Sequence, residues 1–186
     1  MDLIERATII HYHRHRIAEY GAQPQALGWK AARSQSERFG VILRAADYSN
    51  CSVLDVGCGR GDLKAHLDDA FDDVRYTGLD QMPEFIADAV ARYGNGDGDV
   101  AASRFLLGDF TQGELPISDY VIACGALGYR CAEPGFHLRM IRRMHAACRR
   151  ALIFNVLDAR RFAQHPLLVG RDCDEVLDLC RRLSPH

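Results

Sequence analysis

The chain has 186 residues with a formal net charge of −2, and 48% of them are hydrophobic while 26% are charged. These values are typical of a single globular domain, and they give no general attraction to nucleic acid or to an anionic membrane. No apolar run reaches the roughly 18 residues of a membrane-spanning helix, and the seven cysteines include no C-x-x-C pair that would indicate a zinc site. We expect a cytoplasmic protein with reduced cysteines.

The first 50 residues predict mainly helix, with breaks near Gly21 to Pro24 and around Gly28, and we assign them to a helical cap on a domain of residues 51–186. The segment from His11 to Arg16 contains three histidines at alternate positions. A metal site would need a strand there, but the flanking pattern is helical and no carboxylate is nearby, so no metal is predicted. The histidines are candidate general bases, or they form a solvated basic helix face.

A helix is predicted to begin at Ser34, because Ser34 and Glu37 have the spacing of a capping box. Gln35 and Arg38 lie three residues apart and therefore share one face of this helix. The guanidinium of Arg38 is suited to binding a carboxylate of a cofactor or a substrate. We include both residues in the candidate site.

The most informative segment follows, where an apolar strand at residues 53–56 runs into glycines at positions 57, 59 and 61. Glycines in such a turn allow positive φ and let a ligand lie against the backbone, and Asp55 places a carboxylate beside it. A dinucleotide site would have the spacing G-x-G-x-x-G, and Asp62 stands where a pyrophosphate would meet a negative charge. The loop therefore favours a cationic ligand.

Three further strands are predicted to end in polar or small residues. Residues 75–80 end in Asp80, residues 104–108 are followed by Asp109 and Phe110, and residues 119–123 by Cys124 and Gly125. The carboxyl ends of parallel strands form the ligand-binding edge of an open sheet. The remaining predictions are a helix at 83–93, a loop at 94–103, a helix at 137–150, a strand at 151–157 and a helix at 172–183.

With these four motifs in order, residues 29 to 183 resemble a class I S-adenosylmethionine (SAM)-dependent methyltransferase, of an uncharacterised bacterial small-molecule subgroup. The resemblance implies an α/β, Rossmann-like, open and mostly parallel sheet of strand order 3-2-1-4-5 with helices on both faces. The family sheet also has a sixth and a seventh strand, which have no counterpart in this sequence. The fifth strand is then an exposed edge that invites pairing with a second copy of the chain.

The resemblance also implies a role for each motif. Asp55 and the loop of Gly57, Gly59 and Gly61 face the methionine part of SAM, and Asp80 binds the ribose hydroxyls. Asp109 and Phe110 meet the adenine, which Gln81 and Met82 flank. Cys124 and Gly125 lie beside the methyl group, and Cys124 is also a candidate catalytic residue. A cap over the cleft brings His11, Tyr12 and His13 to the reacting groups, and the ring of Tyr12 is suited to contact a sulfonium.

We therefore predict a SAM-dependent methyltransferase that transfers the methyl group directly, in line, to a small molecule. No nucleic-acid or membrane partner is expected. The alternatives are an enzyme of the same fold that uses SAM for cyclisation or another group transfer, and a catalytically inactive SAM-binding protein. A nicotinamide-dependent oxidoreductase shares the sheet and the acid after strand two, but not the glycine spacing or the Asp109-Phe110 pair.

Overall fold

The computed structural model describes residues 1–94 and 103–185. It contains five strands, six α-helices and two short 3-10 helices, and the predicted loop at 94–103 lies outside the described residues except at its two ends. The strands are β1 (Ser52–Val56), β2 (Arg75–Asp80), β3 (Arg104–Leu107), β4 (Ser118–Ala123) and β5 (Cys148–Phe154). The α-helices are α1 (Leu3–Tyr20), α2 (Ala32–Leu43), α3 (Asp62–Ala70), α4 (Pro83–Tyr93), α5 (Phe136–Ala146) and α6 (Cys173–Leu183). The 3-10 helices span Pro24–Leu27 and Ala126–Gly128.

The five strands form one parallel sheet of order β3-β2-β1-β4-β5, as predicted. Strand β1 is central, so that Val53 pairs with Tyr76 on one side and with Tyr120 on the other. The chain order reverses between β1 and β4, and a topological switch point of this kind opens a crevice at the carboxyl edge. The fold class and the strand order predicted from the sequence are confirmed.

Helices cover both faces of the sheet, because alternate strand residues point to opposite sides. On one face Val53 and Ile122 pack with residues of α2, α3 and α4. On the other face Leu54 and Val121 pack with residues of α5 and α6. Both cores contain nearly continuous apolar strands, as expected for a parallel sheet buried on its two sides.

The first helix is well defined by its ends. Asp2 and Glu5 form a reciprocal capping box at the start, and Gly21 ends the helix with a φ of 56°. The predicted capping box of α2 is wrong, because the helix begins at Ala32 and its N-cap residue is Ala31, three residues before the predicted cap. Ser34 is therefore inside the first turn, where its hydroxyl donates to the Ala31 carbonyl.

The boundary between α5 and β5 was predicted three to four residues too late. The helix ends at Ala146, and residues 148–150, predicted to be helical, form the start of β5. The two arginines there favour helix by propensity, but pairing of Ser118 with Cys148 brings the segment into the sheet. The strand consequently ends at Phe154, which leaves Asn155 just beyond its carboxyl end.

The outer edge of β5 has no strand beside it anywhere in the described part of the chain, in agreement with the predicted order. No helix within residues 1–94 and 103–185 is long and apolar enough to cross a membrane.

Candidate active site

A cavity of about 310 Å³ opens at the carboxyl edge of the sheet, where the chain order reverses. Its floor comes from the ends of β1, β2 and β4 and from the segment after β3. Its roof comes from α1, the 3-10 helix Pro24–Leu27 and α2, which belong to the first 50 residues. Residues from every predicted motif therefore line one cavity.

The glycine-rich loop after β1 has the backbone conformation that its sequence requires. Gly57, Gly59 and Gly61 have φ values of 76°, 55° and 74°, a region that other residues rarely adopt. A Cβ at Gly57 would lie 2.9 Å from the Cβ of Ala126, so only glycine lets the loop approach the segment after β4. Gly57 and Gly59 line the cavity, whereas Gly61 is the N-cap of α3 and lies outside the lining.

Asp55 lines the cavity floor and is 3% exposed. Its carboxylate accepts a hydrogen bond of 2.6 Å from the hydroxyl of Tyr76. Burial raises the pKa of Asp55 to about 7, against the hydrogen bond from Tyr76, which lowers it. The site thus holds a carboxyl group that a bound cation would convert to its charged form.

Asp80 connects the end of β2 to the glycine loop. One carboxylate oxygen accepts from the backbone N–H of Gly59 at 2.9 Å, and the other accepts from that of Met82 at 2.9 Å. Burial raises the pKa of this carboxyl, while the backbone donors oppose the shift. Met82 is 1% exposed and lies with Gln81 in the cavity lining.

Asp109 and Phe110 line the cavity after β3, as predicted from their place in the sequence. One oxygen of Asp109 accepts from the Thr111 backbone N–H at 2.8 Å, and the other lies 3.8 Å from a guanidinium nitrogen of Arg6 in α1. Arg6 therefore connects the first helix to the third predicted site carboxylate.

Helix α2 presents Gln35 and Arg38 to the cavity, on the shared face that their spacing predicts. The side-chain amide of Gln35 donates to Asp62 at 3.0 Å. The guanidinium of Arg38 lies 5.1 Å from the ring centre of Trp29, another lining residue, and donates to the Ser34 carbonyl. These contacts fix the guanidinium at the cavity wall.

The histidines of α1 lie on two different faces of the helix. His13 is 5% exposed and lines the cavity next to Tyr12, on the same face as Ile9. His11 and His15 are two residues away in either direction, so the helical period turns both to the exposed side and outside the lining. The structure therefore does not bring the predicted candidate His11 to the site.

Cys124 and Gly125 line the cavity after β4. Burial raises the pKa of the Cys124 thiol to about 12, so this thiol at the cavity wall is neutral at pH 7, and the candidate catalytic role of Cys124 stays a prediction. The backbone N–H of Gly125 donates to the side chain of Asn155 at 2.7 Å.

Several lining residues were missed by the sequence analysis. Asn155 follows a strand like the predicted residues, but the late boundary of β5 placed it inside the strand. Tyr129 and the apolar residues Phe162 and Leu168 lie in irregular segments, where no periodic pattern marks them. Asp62 was noted only as an unfavourable neighbour of a pyrophosphate. No group of metal-binding side chains suited to holding an ion occurs in the described ranges.

The sheet order, the glycine loop and the three strand-end carboxylates together define a Rossmann-like domain of the class I methyltransferase type. Comparison with known proteins agrees. The family model for a methyltransferase domain matches residues 54–152, which is more than half of the chain. The chain therefore belongs to the methyltransferase domain family, and the predicted class of enzyme is confirmed. A search of curated proteins found no match.

Solved structures share the fold at low sequence identity. The N-methyltransferase NodS from Bradyrhizobium japonicum WM9, in complex with S-adenosylhomocysteine (SAH), has a TM-score of 0.64 and 17% identity over 93% of this chain and 84% of that chain. Magnesium protoporphyrin IX methyltransferase (ChlM) from Synechocystis PCC 6803 with bound SAM has a TM-score of 0.64 and 19% identity over 98% and 84%. The DhpI complex with SAH has a TM-score of 0.65 and 21% identity over 94% and 84%.

Proposed function

We propose that the cavity binds SAM and that the protein transfers the methyl group of SAM to a small molecule by direct in-line displacement. The observation that carries the proposal is the meeting of Asp55, Asp80 and Asp109 with the glycine loop in one cavity. Asp55 lies in β1, Asp80 ends β2 and Asp109 follows β3, so only the folded sheet brings them together. The likeness to structures solved with SAM or SAH supports the same cofactor.

The chemistry of the cavity fits SAM. Its volume of about 310 Å³ is within the range of ligand pockets. Three carboxyl groups in or beside the cleft favour a ligand that carries a sulfonium and an ammonium group, whereas they would repel a diphosphate. The Arg38 guanidinium at the wall offers a partner for the single carboxylate of the methionine part. Gly57 and Gly59 line the floor without a side chain, so that a ligand can lie against their backbone.

Different residues of the cavity would contact different parts of SAM. Asp80 would accept from the ribose hydroxyls, and Asp109 would accept from the exocyclic amine of the adenine. Phe110 and Met82 would pack on the adenine ring. Asp55 and Gly57 would face the methionine part, and Cys124 and Gly125 would border the methyl group.

Bound SAM supplies a methyl group already activated by its positive sulfur. The protein then has to orient the acceptor about 3 to 3.5 Å from that carbon and to exclude water. The roof formed by α1 and α2 covers the cavity and reduces the access of water. A small molecule is the proposed acceptor because this roof leaves a cavity of about 310 Å³, and because the similar ChlM is named for a small molecule, magnesium protoporphyrin IX.

The test is calorimetric titration of the purified protein with SAM, SAH and NAD, together with Asp80→Asn. We expect the two adenosyl ligands to bind and NAD not to bind. Loss of a charged hydrogen-bond acceptor weakens binding by about 1.5 to 3 kcal/mol, so the variant should bind SAM about 10- to 100-fold more weakly. Asp69→Asn, on the exposed part of α3, is the matched control and should bind normally.

Failure of the folded wild-type protein to bind SAM or SAH would contradict the proposal, as would equal affinity of Asp80→Asn. Product mass and NMR then separate the alternatives, because methyl transfer places a CH₃ group on an acceptor whereas cyclisation or transfer of another group does not. Binding without turnover on any acceptor would favour a catalytically inactive SAM-binding protein.

We further propose that two copies associate through the outer edge of β5 and that the protein is cytoplasmic. Unpaired backbone groups on an edge strand are a template for another strand. All seven cysteines are free thiols, which supports a reducing compartment. Sedimentation equilibrium over a range of concentrations tests the association, and a monomer at all concentrations would contradict it.

A further inference from the structure

A histidine and a tyrosine from distant parts of the chain meet inside the cavity. The Nε2 of His13 lies 2.5 Å from the hydroxyl of Tyr129, and both side chains line the cavity. The other ring nitrogen, Nδ1, lies 3.1 Å from the carbonyl oxygen of Ala26. A carbonyl can only accept, so Nδ1 carries the proton, Nε2 of the neutral ring is an acceptor, and the Tyr129 hydroxyl is the donor. The hydroxyl oxygen keeps lone pairs for a second partner.

The surroundings keep both groups neutral. Burial lowers the pKa of His13, and the charge of Arg16 on the same helix acts in the same direction. Burial raises the pKa of Tyr129, with smaller contributions from Asp80 and Tyr12 that also raise it and one from Arg16 that lowers it. Arg16 itself is bound to the Gln25 carbonyl and lies outside the cavity lining. At neutral pH the Tyr129 hydroxyl therefore donates to an uncharged His13 imidazole, which can accept a proton.

The wall beside this pair is apolar. Leu168 pairs with Tyr129 through a short β-bridge, and Leu157 lies under the same turn, 3.1 Å from the position of a Cβ on Gly128. Phe162 and Tyr12 complete this wall of the cavity. An acceptor with an apolar body and one polar group directed at Tyr129 satisfies this wall, whereas a charged body would lose its hydration without gaining a partner.

We propose that Tyr129 binds the hydroxyl group of the methyl acceptor, that His13 receives the proton through Tyr129, and that the acceptor is an apolar phenol. This inference rests on the proposed SAM-dependent transfer. The phenol oxygen forms a bond to the methyl carbon while the carbon–sulfur bond breaks and its electron pair stays on sulfur. The phenol proton passes to the Tyr129 oxygen as the Tyr129 proton passes to His13 Nε2. One positive charge leaves sulfur and one appears on the imidazole.

The choice of a phenol follows from proton affinity and charge. A phenol hydroxyl has a pKa of about 10 in water, so transfer of its proton to an imidazole is feasible when the methyl group moves at the same time. An ammonium group has no free lone pair for the methyl carbon, and it would enter an apolar wall as a charge.

A binding experiment tests the pair without turnover. The protein is loaded with SAH and titrated with 4-nitrophenol, whose visible absorbance reports its ionisation. We expect the bound phenol to ionise at a higher pH than the free phenol, because burial and the hydrogen bond that it donates to the Tyr129 oxygen both favour its neutral form. In Tyr129→Phe this shift should become smaller and affinity should fall about 3- to 10-fold, the effect of one hydrogen bond. Tyr20→Phe, in the same helix as His13 but outside the lining, is the control.

Turnover gives the second readout. With SAM and a phenol that the wild-type protein methylates, Tyr129→Phe should lower kcat about 10²- to 10⁴-fold, the usual contribution of general base catalysis, with SAH affinity unchanged. We expect kcat to rise with pH, because His13 can accept a proton only in its neutral form. This rise should be lost in His13→Gln and kept in His15→Gln. Identical spectra and affinity in Tyr129→Phe, or binding of SAH without binding of 4-nitrophenol, would overturn this inference alone. Absence of SAH binding would instead overturn the proposed function.

Discussion

Asp55 shows how one buried residue connects the chemistry of the site to the stability of the fold. The carboxyl is enclosed, its partner is a neutral hydroxyl, and its pKa is about 7 instead of the ordinary value of 3.8. The folded protein therefore binds the Asp55 proton more tightly than the unfolded chain does. The stability that this group contributes is fully present below about pH 4 and is lost as the pH rises through about 7.

We predict that Asp55→Asn is stabilised relative to wild type at high pH. Asparagine keeps an oxygen acceptor for Tyr76 but cannot ionise. Between pH 5 and pH 8 the difference in free energy of unfolding between variant and wild type should grow by about 2 to 3 kcal/mol. The reason is that Asp55 is ionised in the unfolded chain but still protonated in the folded protein over the two pH units from 5 to about 7. Urea unfolding of both proteins at the two pH values measures this difference. If the difference in free energy of unfolding is the same at pH 5 and pH 8, Asp55 is ionised in the folded protein over this whole range.

At this scale the sequence predicted most of the site residues at strand ends and missed those in irregular segments. Asp80 and Asp109 were found because parallel strands direct their carboxyl ends to one edge, whatever the tertiary details. Tyr129 lies in an irregular segment, and its contact with His13 joins residues 116 positions apart. Such a contact depends on how α1 docks, which no local pattern specifies.

Among the elements, α1 is held over the cavity by a residue of the glycine loop. Arg60 is 3% exposed, donates to the carbonyl of Gly21 at the end of α1, and lies 2.9 Å from Asp88 of α4. Its guanidinium also lies 5.5 Å from the ring centre of Phe85, which lines the cavity. The loop that faces the proposed cofactor and the end of the roof helix therefore share one side chain.

Arg60→Met is expected to loosen the roof. Loss of a buried charged donor costs about 1 to 3 kcal/mol, and we expect a lower free energy of unfolding together with faster proteolysis near Gly21. Half-exposed Asp88 can be rehydrated, so the effect should stay below that of a fully buried ion pair. Limited proteolysis with mass spectrometry locates the cleavage, and Arg33→Met on the exposed side of α2 is the control. Equal cleavage in both variants would exclude this role of Arg60.

Element types were easier to predict than element boundaries. Every predicted helix and strand within the described residues exists, because the apolar residues that define each pattern pack into the hydrophobic cores on the two faces of the sheet. The start of β5 was misplaced because arginines suit a helix and the pairing partner of Cys148 is 30 residues away. The error was small in residues, yet it concealed Asn155, whose side chain fixes the backbone of Gly125.

For the whole molecule, the strand order was predicted through the resemblance to the methyltransferase family, whereas the docking of the first 50 residues onto the sheet was not predicted. Four ordered motifs were enough to predict the order 3-2-1-4-5 and the methyltransferase class. The cap was predicted only as a segment, and its contacts run from Arg6 to Asp109, from His13 to Tyr129 and from Gln35 to Asp62. These contacts reach three separate parts of the cavity wall.

Because the cap contacts three separate parts of the cavity wall, we predict that ligand binding slows hydrogen exchange in the cap as well as at the carboxyl edge of the sheet. In hydrogen exchange with saturating SAH, amides of α1 near His13 and of the 3-10 helix Pro24–Leu27 should slow along with those of the glycine loop. At 100 times the dissociation constant, SAH stabilises the folded state by about 2.7 kcal/mol, which limits this slowing to about 100-fold. Amides of α6, which is remote from the cavity lining, should slow only through global stabilisation. If the glycine loop slows while the cap does not, the first 50 residues are not a lid, and residues 51–186 alone hold the ligand.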